Sequence, residues 1–147
     1  MSGSGASGLL APVALFAYAR PEHLRRTLEA LAANAEAPRT PLIVYCDGPK
    51  RPEHRAAVEA VRDVVASTTG FASVAPVLRE CNLGLAASII SGVTESLAQD
   101  GRIIVVEDDL VVSPHFLRYM NDALDCYADA PRVASIHAYC YPTGQAL

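Results

Sequence analysis

The sequence predicts an α/β fold, a Rossmann-like three-layer sandwich on a mostly parallel sheet, from three observations. Short apolar runs alternate with helical patterns in the order β-α-β-α-β-α-β-α-β, the signature of parallel strands joined by crossover helices. One run, Ile103-Ile104-Val105-Val106, is wholly β-branched, as expected of a central strand covered on both faces. The composition, 51% hydrophobic and 19% charged over 147 residues, is that of one ordinary globular domain.

Residues 1–11, with the Gly/Ser-rich opening MSGSGASG, read as a flexible tail, and the domain is expected over 12–147. Pro12 to Tyr18 is a short apolar run, a buried strand that feeds a helix entered at Arg20-Pro21-Glu22-His23, with proline in the first turn. Leu24, Leu28 and Leu31 give that helix one apolar stripe among charged residues. Pro38 and Pro41 end it. Leu42 to Cys46 is the second strand, closed by the turn Asp47-Gly48-Pro49. Pro52 to Val65 carries Ala57, Val58, Val61, Val64 and Val65 at helical spacing, and Ser73 to Leu78 makes a third strand. From Gly84, an i+4 ladder of Leu85, Ile89, Val93 and Leu97 runs to a glycine cap at Asp100-Gly101. The β-branched strand then delivers Glu107-Asp108-Asp109. Ser113-Pro114 opens a helix with Phe116, Leu117, Met120, Leu124 and Tyr127 inward, and Val133 to His137 is expected as a fifth strand.

Several function classes are disfavoured. Net charge is −4, and no basic run exceeds the pairs Arg25-Arg26 and Lys50-Arg51, so nucleic acid is a poor partner. The longest apolar stretch, Leu9 to Ala19, is broken by Pro12 and falls well short of the roughly 20 residues of a membrane span. No basic segment precedes it as in a secretory signal, so a cytoplasmic protein is expected. The four cysteines form no C-x-x-C or Cys/His pair, which argues against zinc; Cys46 and Cys140 read as reduced, packed thiols.

In open parallel sheets ligands bind beyond the carboxyl ends of the strands. Those ends carry Ala19-Arg20, Asp47-Gly48, Arg79 to Asn82, and Glu107-Asp108-Asp109. Three consecutive acids after an apolar strand call for an offsetting cation, and a carboxylate cluster without His or Cys suits Mg²⁺ or Mn²⁺; the alternative is a solvated turn. Arg20 and Asp47 are either surface loop residues or a pair able to grip a polar ring edge or a phosphate. Asn82-Leu83-Gly84-Leu85-Ala86 is either a tightly packed helix start or a place where backbone N–H groups approach an anion. His23, His54 and His115 fall at helix starts and read as exposed. His137 is the one histidine able to face the site, with a core or loop role as its alternative. No G-x-G-x-x-G follows the first strand, which disfavours an ordinary dinucleotide fold.

These residues resemble the nucleotide-sugar half of a GT-A fold glycosyltransferase. Phe16-Ala17-Tyr18-Ala19-Arg20-Pro21-Glu22-His23-Leu24 is similar to the first strand and loop of family 2-type enzymes, and Asp47 stands where those enzymes place a uracil-contacting aspartate. Glu107-Asp108-Asp109-Leu110, with Pro114, Phe116 and Tyr119, resembles the EDDL-x-x-x-P-x-F-x-x-Y segment of the mannosyl-glycoprotein N-acetylglucosaminyltransferase I type and its bacterial relatives. The likeness spans about residues 12–141. It implies a GT-A nucleotide-binding half that takes a nucleoside-diphosphate sugar, UDP-sugar foremost, for transfer to a hydroxyl of a glycan or other acceptor. It further implies Asp109 as the ligand of Mn²⁺ or Mg²⁺, and sugar-nucleotide contacts from Ala19, Arg20, Asp47, Asn82, Glu107 and Asp108.

In the resembling family the catalytic base and much of the acceptor site follow the segment that ends here at Tyr141-Pro142, so the base is expected beyond Leu147 and little transferase activity from this chain alone. A non-catalytic sugar-nucleotide binder therefore stays open as an alternative. A nucleotidyltransferase would want a glycine-rich loop after the first strand, and Ala17-Tyr18-Ala19-Arg20-Pro21 is not one. A response-regulator receiver would want acids after the first strand, which ends instead in Arg20, and a lysine after the fifth, which ends in His137.

Overall fold

The computed structural model describes residues 10–139. Its sheet has four parallel strands in the order β3-β2-β1-β4: β1 (Val13–Ala17), β2 (Pro41–Cys46), β3 (Ser73–Leu78) and β4 (Ile104–Glu107). The helices are α1 (Pro21–Ala32), α2 (Arg55–Ala66), α3 (Leu85–Asp100) and α4 (Phe116–Cys126). β1 is central, every residue buried, with Val13 to Ala17 in register with Leu42 to Cys46 on one side and Val13 to Phe16 with Ile104 to Glu107 on the other. Alternation along the strands assigns the two faces. Val13, Leu15, Leu42, Val44, Ile104 and Val106 point toward α1, α2 and α4, meeting Leu24, Leu28, Leu31, Val61, Val65 and Leu117. Ala14, Phe16 and Tyr45 point the other way, toward α3. Helices thus cover both faces, as the three-layer expectation requires.

α1 starts as anticipated, with Pro21 in its first turn, and its buried side is the Leu24-Leu28-Leu31 stripe. Burying such a leucine contributes roughly 1.5–3 kcal/mol. Leu10 and Ala11, expected in the tail, are held: the Leu10 N–H donates to the Arg39 carbonyl at 3.0 Å, and the buried Ala11 donates to Asn121 Oδ1 at 3.0 Å. Pro76 sits in β3, where an edge position tolerates a missing N–H. Cys46 is fully buried, as read; Cys140 lies outside the described residues.

Four expectations are corrected. β4 is an edge strand, not a central one: among the described residues no strand pairs with its outer side, and Val105, on the same face as Ala14, is 42% exposed. The expected fifth strand is not formed. Val133 to His137 runs as irregular chain in which Ile136 alone reaches the core, and a strand exposed on both sides gains nothing from burial.

α3 is the third correction. Leu85 and Leu97 are exposed, Ile89 and Val93 are partly buried, and the fully buried positions are Ser88, Gly92 and Ser96. The stacked rings of Phe16 and Tyr45, centroids 5.0 Å apart, occupy the space that leucines would fill. A Cβ on Gly92 would stand 2.6 Å from Phe16 Cε1, and the Tyr45 hydroxyl bonds the Gly92 carbonyl and Ser96 Oγ. Finally, Tyr127 ends α4 and is exposed rather than inward, and the helix proper begins at Phe116, one turn after the Ser113 oxygen that accepts the His115 N–H.

Candidate functional site

β1, β2 and β3 follow one another outward in one direction, whereas β4 returns to the other side of β1, so the topological switch point lies between β1 and β4. At their carboxyl ends opens a cleft of about 430 Å³. Its walls include Ala19, Arg20, Asp47, Asn82, Glu107 and Asp108, six of the seven residues singled out by sequence, together with Tyr18, Lys50, Gly84 and Ser88. The seventh, Asp109, stands outside this lining and is joined to it through Arg20.

On the β1/β4 side one guanidinium holds two acids. Arg20 Nη2 is paired with Asp108 Oδ1, and Arg20 Nη1 donates to Asp109 Oδ2 at 3.1 Å. Asp108, 2% exposed, also accepts the Tyr18 N–H on Oδ2 at 3.0 Å, and its carbonyl accepts from Thr27 Oγ1 of α1. These bonds clamp the chain on both sides of Ala19, whose φ of 51° is left-handed, a conformation costing a non-glycine residue roughly 1–2 kcal/mol. Partial burial works against the charge on Arg20, but the pull of Asp108 and Asp109 and the hydrogen bonds to them outweigh it and hold the guanidinium pKa above its ordinary value. Arg20 is therefore the cation that the acidic triplet called for.

The β2/β3 side is built on Asp47. Its Oδ2 accepts the Leu83 and Gly84 N–H groups at 3.0 and 3.2 Å, and its Oδ1 accepts from Ser88 Oγ at 3.2 Å and Arg79 Nη1 at 3.4 Å. Four donors fill the capacity of a carboxylate, so Asp47 meets a ligand only by giving one up. Arg79 also donates to Ser88 and Ser91 and lies over the Tyr45 ring, 5.4 Å from its centroid. Gly48 lets the two strand-end loops touch, since a Cβ there would collide with the Glu80 carbonyl. Asn82 is spent on the same loop, donating to the Gly48 carbonyl and accepting the Gly84 N–H.

Sequence reasoning missed Tyr18 and Lys50. The Tyr18 hydroxyl accepts the backbone N–H of Lys50 at 3.0 Å and is hydrogen-bonded to His54 Nδ1 at 2.6 Å, which ties the Lys50 backbone to the tyrosine on the cleft wall. His54 is accordingly half-buried, not free at a helix start, and His137 lines a separate apolar groove beside β4. An apolar run ending in tyrosine was the available signal for Tyr18; nothing marked its partners.

Among the described residues no three His, Cys, Asp or Glu side chains gather as a metal cage. Magnesium and manganese need no such cage where substrate phosphates complete the coordination and the protein adds one or two carboxylates. Asp109 fits that smaller role: its side chain is 41% exposed and Oδ1 accepts no hydrogen bond from the described residues, whereas both Asp108 oxygens are taken. No helix among the described residues is long and apolar enough to cross a membrane. No protein-family model matches the chain, and the curated proteins contain no match to it.

Proposed function

We propose that the cleft binds a nucleoside-diphosphate sugar, as the donor-binding half of a metal-dependent glycosyltransferase of GT-A type. The observation that carries this reading is the meeting of Arg20, Lys50, Glu107 and Asp108 in one cleft at the carboxyl ends of β1, β2 and β4, with Asp109 joined to it through Arg20, around the switch point at which parallel sheets bind nucleotides. Arg20 brings a forked donor suited to phosphate, and Lys50 a second cation. Asp109 offers the oxygen for Mn²⁺ or Mg²⁺, which as a Lewis acid would stabilise the charge on the departing diphosphate. Asp108 holds the β1–α1 loop in shape, and Glu107 is the acid on the lining left for sugar hydroxyls. A base for the acceptor hydroxyl is not assigned. Transfer to a hydroxyl acceptor, and a cytoplasmic setting, belong to the same proposal.

Calorimetric titration of the chain with UDP and UDP-sugars, with and without Mn²⁺, tests it. Metal-dependent binding that Asp109→Ala abolishes is the expected result. A folded chain that binds no nucleoside diphosphate under either condition would overturn it.

A further inference from the structure

The two grips of Arg20 are unequal. Asp108 is buried and shares its other oxygen with the Tyr18 N–H, so this end of the guanidinium is anchored in the protein. Asp109 is solvent-facing, its pairing with Arg20 is a single hydrogen bond between half-exposed groups, and its second oxygen accepts no hydrogen bond from the described residues. Exposed pairs of this kind open readily, because water and salt screen them. Arg20 itself lines the cleft and Asp109 does not, so a ligand in the cleft meets the guanidinium before the carboxylate.

We propose that Arg20 is the built-in counter-cation of Asp109 and competes with a divalent metal for that carboxylate, so that metal and nucleotide binding are coupled through one side chain. The inference rests on the nucleotide reading above. In the unliganded chain the guanidinium neutralises Asp109 and repels an arriving dication, so free metal binds weakly. A diphosphate is a better partner for the forked donors than one exposed carboxylate oxygen, and it draws Nη1 away while Nη2 stays on Asp108. Asp109 is then free for the metal just as phosphate oxygens become available to complete its coordination. By thermodynamic reciprocity, metal raises nucleotide affinity by the same factor.

The test measures metal binding rather than turnover. Mn²⁺ is titrated into wild type, Arg20→Gln, Arg20→Lys and the double variant Arg20→Gln/Asp109→Asn, with the free-ion EPR signal as readout and circular dichroism as the check on folding. Without nucleotide, Arg20→Gln should bind Mn²⁺ roughly tenfold tighter than wild type, the size expected from removing one positive charge beside a dication near the surface. Arg20→Lys, a cation that cannot span two carboxylates, should gain less, and the double variant should lose the gain. Adding UDP should tighten Mn²⁺ binding in wild type much more than in Arg20→Gln. Folded variants whose Mn²⁺ affinity equals or falls below wild type would overturn the inference, and Arg20→Lys carries the comparison if Arg20→Gln does not fold. Failure of UDP to bind under any condition sinks the nucleotide reading instead, and the nucleotide-free titrations still decide whether Arg20 and metal compete.

Discussion

The two walls of the cleft each place a buried aspartate at a strand end, Asp47 after β2 and Asp108 after β4. Asp47 ties four donors from the β3–α3 loop, α3 and Arg79, and none of these partners is half exposed to solvent except Leu83. Asp108 ties a strained loop on one oxygen, but on the other it holds an arginine whose side chain is 47% exposed and shared with Asp109. The first wall is closed on itself; the second ends in a cation with somewhere else to go. Equal burial of a carboxylate thus says little about its role until its partners are counted.

The largest effect should come from breaking the closed wall. Asp47→Ala strands the Arg79 guanidinium in a site that is 13% exposed and removes the acceptor for two backbone N–H groups. Losing one partner of a buried pair costs about 3–5 kcal/mol, which urea unfolding would register as a large fall in midpoint. Asp108→Ala should cost less, about 2–3 kcal/mol, since the Tyr18 N–H is left unpaired while Arg20 can turn to water. A loss as large as that for Asp47 would show that the second wall is as closed as the first.

Much of this frame was legible in the sequence, and the failures have physical causes. β1, β2, α1, α2 and α4 follow from apolar runs and stripes, because those residues face a layer that covers them. β4 was misplaced because a wholly apolar run reports hydrophobicity, not whether a neighbouring strand exists. The buried face of α3 lies beside its apolar ladder because close packing against Phe16 and Tyr45 selects Ser88, Gly92 and Ser96, small residues that an apolar pattern does not mark, while Ile89 and Val93 pack at its border. At the site, Arg20, Asp47 and the acidic triplet were visible as strand-end residues. Their pairing was not: Arg79 reaches Asp47 across two loops, and Arg20 reaches Asp108 from 88 residues away, which no local pattern records.

Cys46, directly before Asp47, probes how closed the first wall is. Burial pushes its thiol pKa up to about 11; Arg62 opposes this, and Asp47 and Asp108 add to it. The neutral thiol is present in both folded and unfolded states below the ordinary value of 9.0, so its contribution to stability is complete there. As pH rises from 9.0 toward 11 the unfolded thiol ionises and the folded one resists, so stability falls, by about 2 kcal/mol at the upper end. Unfolding midpoints across that range should slope less in Cys46→Ala than in wild type. Iodoacetamide should label the exposed Cys81 and Cys126 and spare Cys46 until the chain unfolds.

The smallest stability effect sharpens the contrast most. Asp109→Asn removes one exposed hydrogen bond to Arg20 and keeps an acceptor oxygen, so its unfolding free energy should move by less than about 0.5 kcal/mol. The same substitution should abolish Mn²⁺-dependent binding of UDP. A residue that is nearly silent in folding and decisive in binding is what the open wall predicts of Asp109. If Asp109→Asn instead unfolds the chain as Asp108→Ala does, then Arg20 needs both acids to hold its loop, and the guanidinium is as fixed as Arg79.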